Sequence, residues 1–449
     1  MNSEAFQEEI AQAIEAQIKA YSVPGASVLG GFIQRSRTCV AQYNGRQIFE
    51  MLQNMDDQMT EDGLQDIDRC SQIVLDKKKG SLLFQNKGTP FSSAGIISIM
   101  YPDVSPKRKG KLPTIGNKGL GFRSLLNWKP KEIVIRSNET ELVFSDQVAS
   151  SYVAKYQELK EALSRADEEQ LPILSFPKIT HWESHGTVWA TEIELTEIAG
   201  YVDEIQRELN NFDSELMLFL PHLRQVEILI IDENHESKTI YQASKRKQIL
   251  DEESRFQTRT IKSQRDGCNW VEHEWLVCWD RGTLVDEKEH NAPSSYNIEI
   301  AVPTDRESRN ALSRKLYNYL PVSGVSIKLP CLIHATVNLG DNRNELLIGD
   351  WQNYVIFKEK LPSIIGKFAT VVRDQFVKGN NLVDDRWLPY SLLAAPLESD
   401  DRNYVGPLYE KLRAIVDGGE FVPCVDKSFH KLRECCYYDP KDNDGCGIT

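Results

Sequence analysis

The sequence has no apolar run approaching the roughly 18 residues needed to cross a bilayer. Its first residues, Met1-Asn2-Ser3-Glu4, are acidic rather than basic and then apolar. Neither a transmembrane protein nor a secretory leader is expected. A disulfide framework is also lacking, because the nine cysteines (Cys39, Cys70, Cys268, Cys278, Cys331, Cys424, Cys435, Cys436 and Cys446) are an odd number scattered over 449 residues. That usage predicts a reducing cytoplasm. No CxxC pair occurs, so Cys424, Cys435, Cys436 and Cys446 with His430 make a poor zinc set. Positive charge is short as well. A formal charge of −13 argues against general coating of nucleic acid, while leaving room for a local basic patch.

What is present is ample apolar content, 41%, enough for a core in each of two or three domains. We expect a first domain over 1–220, a second over 221–398 and a C-terminal tail over 399–449. Residues Ser3 to Tyr21 place Phe6, Ile10, Ile14 and Ile18 at steps of four, the pattern of an amphipathic helix. After Pro24-Gly25 a longer helical pattern ends in Gln47 to Met59. Ile48, Leu52, Met55 and Met59 form its apolar stripe, and Glu50, Asn54 and Asp57 share the other face. A carboxylate there can orient or deprotonate a water, and an amide oxygen one turn on can hold Mg²⁺. The bland alternative is a solvated helix face.

Ile73-Val74-Leu75 and Leu82-Leu83-Phe84 flank a polar turn and read as a hairpin, whose second strand runs into Gln85-Asn86-Lys87-Gly88. Asn86 can face the edge of a flat ligand or close an Asx turn. Tyr101 to Pro113 carries Lys107, Arg108, Lys109, Lys111 and three prolines, a composition that cannot bury itself and reads as a basic, lid-like loop. It leads into Gly116-Asn117-Lys118-Gly119-Leu120-Gly121-Phe122-Arg123-Ser124, where three glycines precede an apolar run opening a helix. Glycines at that spacing admit close approach of an anion, and the free N–H groups of the helix start point at it. This is the pattern of a phosphate cradle.

Further on, Glu132 to Arg136 and Glu141 to Phe144 read as a hairpin around Asn138-Glu139. Helical patterns follow over Asp146 to Arg165 and Tyr201 to Leu218, with a strand from Val188 to Leu195 between them. The second region reads as strands over Val226 to Ile231, Arg255 to Lys262, Trp270 to Trp279, Tyr296 to Val302 and Cys331 to Leu339. A helix is expected from about Asp350 to Val377 and another over Pro407 to Val416. The fold class expected is α+β: a two-layer sandwich followed by a mixed α/β domain.

The order Glu50-x-x-x-Asn54-x-x-Asp57, Asn86-x-Gly88, a lid, Gly116-x-x-Gly119-x-Gly121-Phe122 and Gly186-Thr187 resembles the ATP-binding domain shared by gyrase, the ninety-kilodalton heat-shock chaperone, histidine kinases and MutL. Asn86 in place of the usual Asp, the run from Ile115 to Ser124 and Leu218-Phe219-Leu220-Pro221 are most similar to the sacsin-type branch. The match runs from about Gln47 to Leu223 and more loosely to about Lys360.

The resemblance implies ATP and Mg²⁺ as ligands. Glu50 would activate the attacking water, Asn54 would hold Mg²⁺, and Asp57 would face the nucleotide through water. Asn86 beside Gly88 would take the adenine amine, with Thr187 supporting that contact from the facing strand. The cradle of Gly116, Lys118, Gly119, Leu120, Gly121 and Phe122 would hold the phosphates. The second region resembles the transducer domain of that superfamily, from which a basic residue reaches the γ-phosphate; Arg343 is the candidate, against the alternative of a polar surface tip. Two departures stand out: Asn86 drops the charge of the usual Asp, and Gln58 replaces a small Ala.

The implied function is a cytoplasmic ATP hydrolase that acts as a conformational switch. Lid closure and an ATP-dependent homodimer would remodel a protein client or partner subunit, in a chaperone-like or antiviral defence system. The alternative is a nucleotide-gated binding module with little turnover. A histidine kinase is disfavoured because no acceptor His lies in a helical segment ahead of Glu50, and a topoisomerase because the chain lacks length for strand-cleavage domains. The abrupt ending at Cys446-Gly447-Ile448-Thr449 suggests a fragment or one subunit of a larger system.

Overall fold

The computed structural model describes residues 3–23, 28–42, 45–60, 64–101, 121–183, 186–250, 253, 255–285, 293–340 and 343–435. The chain divides into two compact units. The first comprises Met1–Lys245, Thr260–Glu272 and Asp341–Arg343; the second comprises Arg246–Arg259, His273–Gly340 and Asn344–Thr449. The fold class is α+β, built on mixed sheet with helices.

In chain order the first unit contains α1 (Ser3–Ser22), α2 (Val28–Gln42), α3 (Gln47–Asp57), β1 (Cys70–Asp76), β2 (Ser81–Asn86), α4 (Ser93–Met100), a 3₁₀ segment Gly121–Trp128, β3 (Glu132–Ser137) and β4 (Thr140–Ser145). There follow α5 (Asp146–Lys155), α6 (Gln157–Ala166), β5 (Lys178–His181), β6 (Thr191–Thr196), α7 (Val202–Asn210), β7 (Gln225–Ile231) and β8 (Glu236–Ala243). The strands lie in the order β5-β4-β3-β6-β2-β1-β7-β8. All neighbours are antiparallel except β1 and β7, which run parallel from Cys70↔Gln225 to Asp76↔Ile231.

Turn chemistry sets the hairpins. Asp76 Oδ1 accepts from the N–H groups of Lys78 and Lys79 at 3.1 and 3.0 Å, and Gly80 takes a φ of 62° to close β1 onto β2. Asn138 and Glu139 both sit at positive φ, 51° and 55°, as a two-residue turn matching strand twist requires. One sheet face carries Val226, Ile228, Ile73, Phe84, Ile193 and Ile135, all buried. The other carries a polar lattice: Arg136 pairs with Glu141 and Glu194 at 2.9 and 2.8 Å, and Gln72 donates to Glu227 at 3.0 Å. Alternation therefore gives two layers, helices on the apolar face and polar side chains on the other.

Several expected elements are broken by local chemistry. The long pattern ending at Met59 is two helices, α2 and α3, with Gly45 between them at φ 78°. Asp146 to Arg165 splits at Tyr156, whose extended backbone ends α5 and starts α6. The helix expected to Leu218 stops at Asn210, and Asp213 then caps a 3₁₀ turn by accepting from the Glu215 N–H at 3.1 Å. The run behind Gly121 is a 3₁₀ segment rather than an α-helix.

The second unit contains β9 (Lys247–Gln248), β10 (Phe256–Arg265, whose last six residues belong to the first unit), β11 (Val271–Leu284, whose first two residues belong to the first unit), β12 (Ser294–Pro303), α8 (Arg306–Asn310), β13 (Lys315–Asn318), β14 (Leu320–Ser326) and β15 (Leu332–Ala335). After these come α9 (Trp351–Val355), α10 (Leu361–Val377), α11 (Leu388–Leu393), α12 (Val405–Gly418), β16 (Val422–Pro423) and β17 (Phe429–His430). Its strands run β14-β13-β15-β12-β11, and Leu276, Cys278, Ile298, Ile300 and Ile333 form one core with Ile365, Phe368, Leu392 and Leu408 of the helices. The expected strand Cys331 to Leu339 shrinks to β15. The helix expected from Asp350 to Val377 contains a π turn at Ile356–Lys360 just ahead of Pro362, a residue that cannot donate to a regular ladder.

Candidate functional site

The helix α3 is buried nearly all round. Ile48, Leu52 and Met55, with Met59 just beyond its end, form the apolar stripe as their spacing predicts. The acids do not face water: Glu50 is 4%, Asp56 0% and Asp57 5% exposed. Buried carboxylates require partners. Both Glu50 oxygens accept from Arg343 Nη1, at 3.2 and 3.3 Å, and Arg46 Nε lies 3.7 Å from Glu50 Oε1. Arg46, at the position just before the helix and one turn ahead of Glu50, also donates to the Arg343 carbonyl at 3.3 Å. Arg343 is counted with the first unit, is largely buried, and takes a φ of 55°. It is not a solvated tip.

The other end of α3 is equally constrained. Asp56 Oδ1 accepts from the N–H groups of His222 and Leu223 at 3.0 and 2.7 Å, which fixes the turn after Leu220-Pro221. Burial, reinforced by Arg69 and Arg224, holds the His222 imidazole below its ordinary value, while Asp57 works in the opposite direction. The Gln58 carbonyl accepts from the Thr89 N–H at 2.7 Å, and a Cβ on Gly88 would fall 2.4 Å from that same oxygen. Gly88 is therefore glycine because backbone meets backbone there. At the front of the helix, a Cβ on Gly121 would lie 2.2 Å from Glu50 Oε2. Phe122, next to it, is buried.

Asn86 is buried, and its Oδ1 accepts from the Gly88 N–H at 3.1 Å, so it closes an Asx turn. Its backbone partner across the sheet is Thr191. Thr187 is placed elsewhere. Its Oγ1 donates to Glu192 at 3.2 Å and accepts from the Trp189 N–H at 3.3 Å. That local turn delays the strand, which starts at Thr191 rather than Val188, and Val188 is 67% exposed. Thr187 therefore stands ahead of the facing strand rather than in it. Asn54 is half-buried on the Glu50 side of α3, and no hydrogen bond to its side chain occurs among the described residues. Gly116, Lys118, Gly119 and Leu120, with the lid from Pro102 to Pro113, lie outside the described residues.

The structure thus sets Gly121 and Arg343 each against Glu50 at one end of α3, and Gly88 with Asn86 at the other. Sequence reading gave no role to Arg46, Asp56 or Arg123. Arg46 stands four residues before Glu50, an i, i+4 signal legible in the sequence. Arg123 is fully buried, donating to Ser36 Oγ at 3.1 Å and the Ile99 carbonyl at 2.7 Å. It ties the segment after Gly121 to α2 and α4, and no local pattern announces those partners.

No family model and no curated protein matches the chain. Among solved structures it is similar to the ATPase region of Saccharomyces cerevisiae topoisomerase II, and to the same region bound to ICRF-187 (dexrazoxane). Each aligns with a TM-score of 0.25 and 10% identity over 45% of this chain. The alignment spans 58% and 59% of those chains, less than two thirds of their length. Likeness at that level carries no argument about function.

Proposed function

We propose that the first unit binds Mg-ATP against α3 and hydrolyses it. The observation that supports this most directly is the meeting of a buried Glu50 carboxylate, a glycine whose missing side chain leaves room against that carboxylate, and a guanidinium from Arg343. A surface helix has no reason to bury an acid at 4% exposure with an arginine from far along the chain. In this reading Glu50 orients the attacking water, and Arg343 exchanges the carboxylate for the phosphates as negative charge arrives. Asn54, one turn along and without a partner among the described residues, offers its amide oxygen to Mg²⁺. That ion, when bound, supplies neutralisation of triphosphate charge. Asn86 retains a second lone pair on Oδ1 beyond the one used by Gly88, and can accept from an exocyclic amine. Closure of the basic loop, an ATP-dependent homodimer and remodelling of a protein client complete the proposal.

A second reading has its own support. A carboxylate engaged by Arg343 and Arg46 is occupied by its ion pairs rather than turned to a water, which suits a nucleotide-gated binding module with little turnover. Turnover separates the two. Glu50→Gln keeps the shape of the side chain and should retain Mg-ATP binding while losing hydrolysis by a factor on the order of 10²–10⁴. Asn54→Ala should lose binding as well. Binding without turnover in the unaltered protein would favour the gated module, and neither thermal stabilisation by Mg-ATP nor turnover would overturn both readings.

A further inference from the structure

The described cysteines of the second unit fall into two kinds. Cys278 and Cys331 are buried in the core, where burial pushes both thiols up to about 12. They are inert. Cys424 and Cys435 are only partly buried, and their sulfurs lie 3.6 Å apart. The backbone fixes each of them. The Cys424 N–H donates to the Ser428 carbonyl at 3.0 Å, closing the turn between β16 and β17, in which Lys427 takes a φ of 70°. The Cys435 N–H donates to the Leu432 carbonyl at 3.2 Å at the end of a 3₁₀ turn. A hairpin and a turn thus present two thiols to one another at van der Waals contact.

Two thiolates on one tetrahedral zinc would stand at a similar separation, about 3.8 Å for Zn–S bonds near 2.3 Å. Among the described residues these two sulfurs are the ligands that meet, and two do not complete such a site. His430 Nε2 is engaged by Ser428 Oγ at 2.6 Å with Asp426 at 3.5 Å, and no group of three metal-ligating side chains comes together among the described residues. A disulfide needs only the pair. Forming a bond of about 2.05 Å from this contact requires side-chain rotation and a small approach of the sulfurs.

We infer that Cys424 and Cys435 are a redox-active dithiol, a site of thiol–disulfide exchange with a glutathione-type disulfide. One cysteine thiolate attacks the oxidised glutathione, forming a mixed disulfide and releasing one glutathione thiolate. The other protein thiolate then attacks the protein sulfur of that mixed disulfide and releases the second. Two protein thiols are oxidised and give up their protons, and one glutathione disulfide is reduced to two thiols. The product cross-links the β16–β17 hairpin to the turn at Leu432–Glu434.

The test treats the native full chain with oxidised glutathione, blocks remaining thiols with iodoacetamide and maps peptides without reduction. A Cys424–Cys435 link that dithiothreitol removes is expected in most molecules. It should survive Cys436→Ser, which removes the neighbouring thiol, and vanish in Cys435→Ser with the circular dichroism unchanged. Glutathione remaining as an unresolved mixed disulfide would overturn the inference. So would a link from Cys424 to Cys436 in place of Cys435 in the unaltered protein, or stoichiometric zinc in the purified protein that Cys424→Ser abolishes.

Discussion

Glu50 and Arg343 are 293 residues apart in sequence, yet the guanidinium reaches both carboxylate oxygens at 3.2 and 3.3 Å inside the first unit. The pair is largely shielded from solvent, so its charges interact far more strongly than a surface ion pair would. Arg46 holds both ends of it, through the Glu50 carboxylate and the Arg343 carbonyl. In the proposed reading Arg343 would leave Glu50 on nucleotide binding, and Arg46 holds it in place until then.

That coupling is measurable in thermal unfolding. Arg343 sits at φ 55°, so Asn, which tolerates that conformation, is the cleaner replacement. Glu50→Gln and Arg343→Asn should each lower the melting temperature, and the double variant should lose less than their sum, with an interaction energy of about 1–3 kcal/mol. Strict additivity would mean that the pair is absent in solution.

The two glycines that flank α3 should respond differently to alanine. At Gly88 the new methyl lies 2.4 and 2.8 Å from the Gln58 carbonyl oxygen and carbon, which are backbone and cannot swing away. At Gly121 it meets the Glu50 carboxylate, which can move but only by leaving Arg343. Gly88→Ala should therefore be the more destabilising, with overpacking of this kind costing about 1–3 kcal/mol. Gly121→Ala should keep most of the fold and lose the thermal shift produced by Mg-ATP. A normal shift with Gly121→Ala would remove the cradle from the proposal.

Acid should weaken the second unit in two stages. His334 is fully buried, and burial lowers its imidazole to about 4 against the opposing pull of Glu299, with Arg246 and Arg281 also facing it. A depressed folded value means that the stabilisation is complete above about 6.5, the unfolded value, and is lost as pH falls through 4. The loss can reach about 3 kcal/mol. Burial opposes ionisation of Glu299, but Arg246, bonded at 3.0 and 2.5 Å, and then His334 and Arg281 hold it at about 2. Its stabilisation persists above about 4.5 and disappears only toward pH 2. In His334→Asn, whose Oδ1 can still accept the Tyr319 N–H now bound by Nδ1 at 3.0 Å, the melting temperature should be nearly flat between pH 7 and 5. An equal acid slope in both proteins would place the titrating group elsewhere.

Local periodicity was readable because it needs only neighbours. The four-residue steps of Phe6, Ile10, Ile14 and Ile18, the stripe from Ile48 to Met59, and the Asn138-Glu139 turn follow from backbone geometry and side-chain pattern alone. So do Gly88 and Gly121, whose lack of a side chain marks close approach without saying what approaches. Tertiary structure decided the rest. The parallel pairing of β1 with β7, the Arg343 guanidinium on Glu50 and the burial of Arg123 among Ser36, Ile99 and Phe32 join segments far apart in sequence. The acids of α3 show the difference most plainly. Their spacing fixed which face they occupy, but whether that face met water or another part of the chain depended on what packed over it, and no local pattern encodes that.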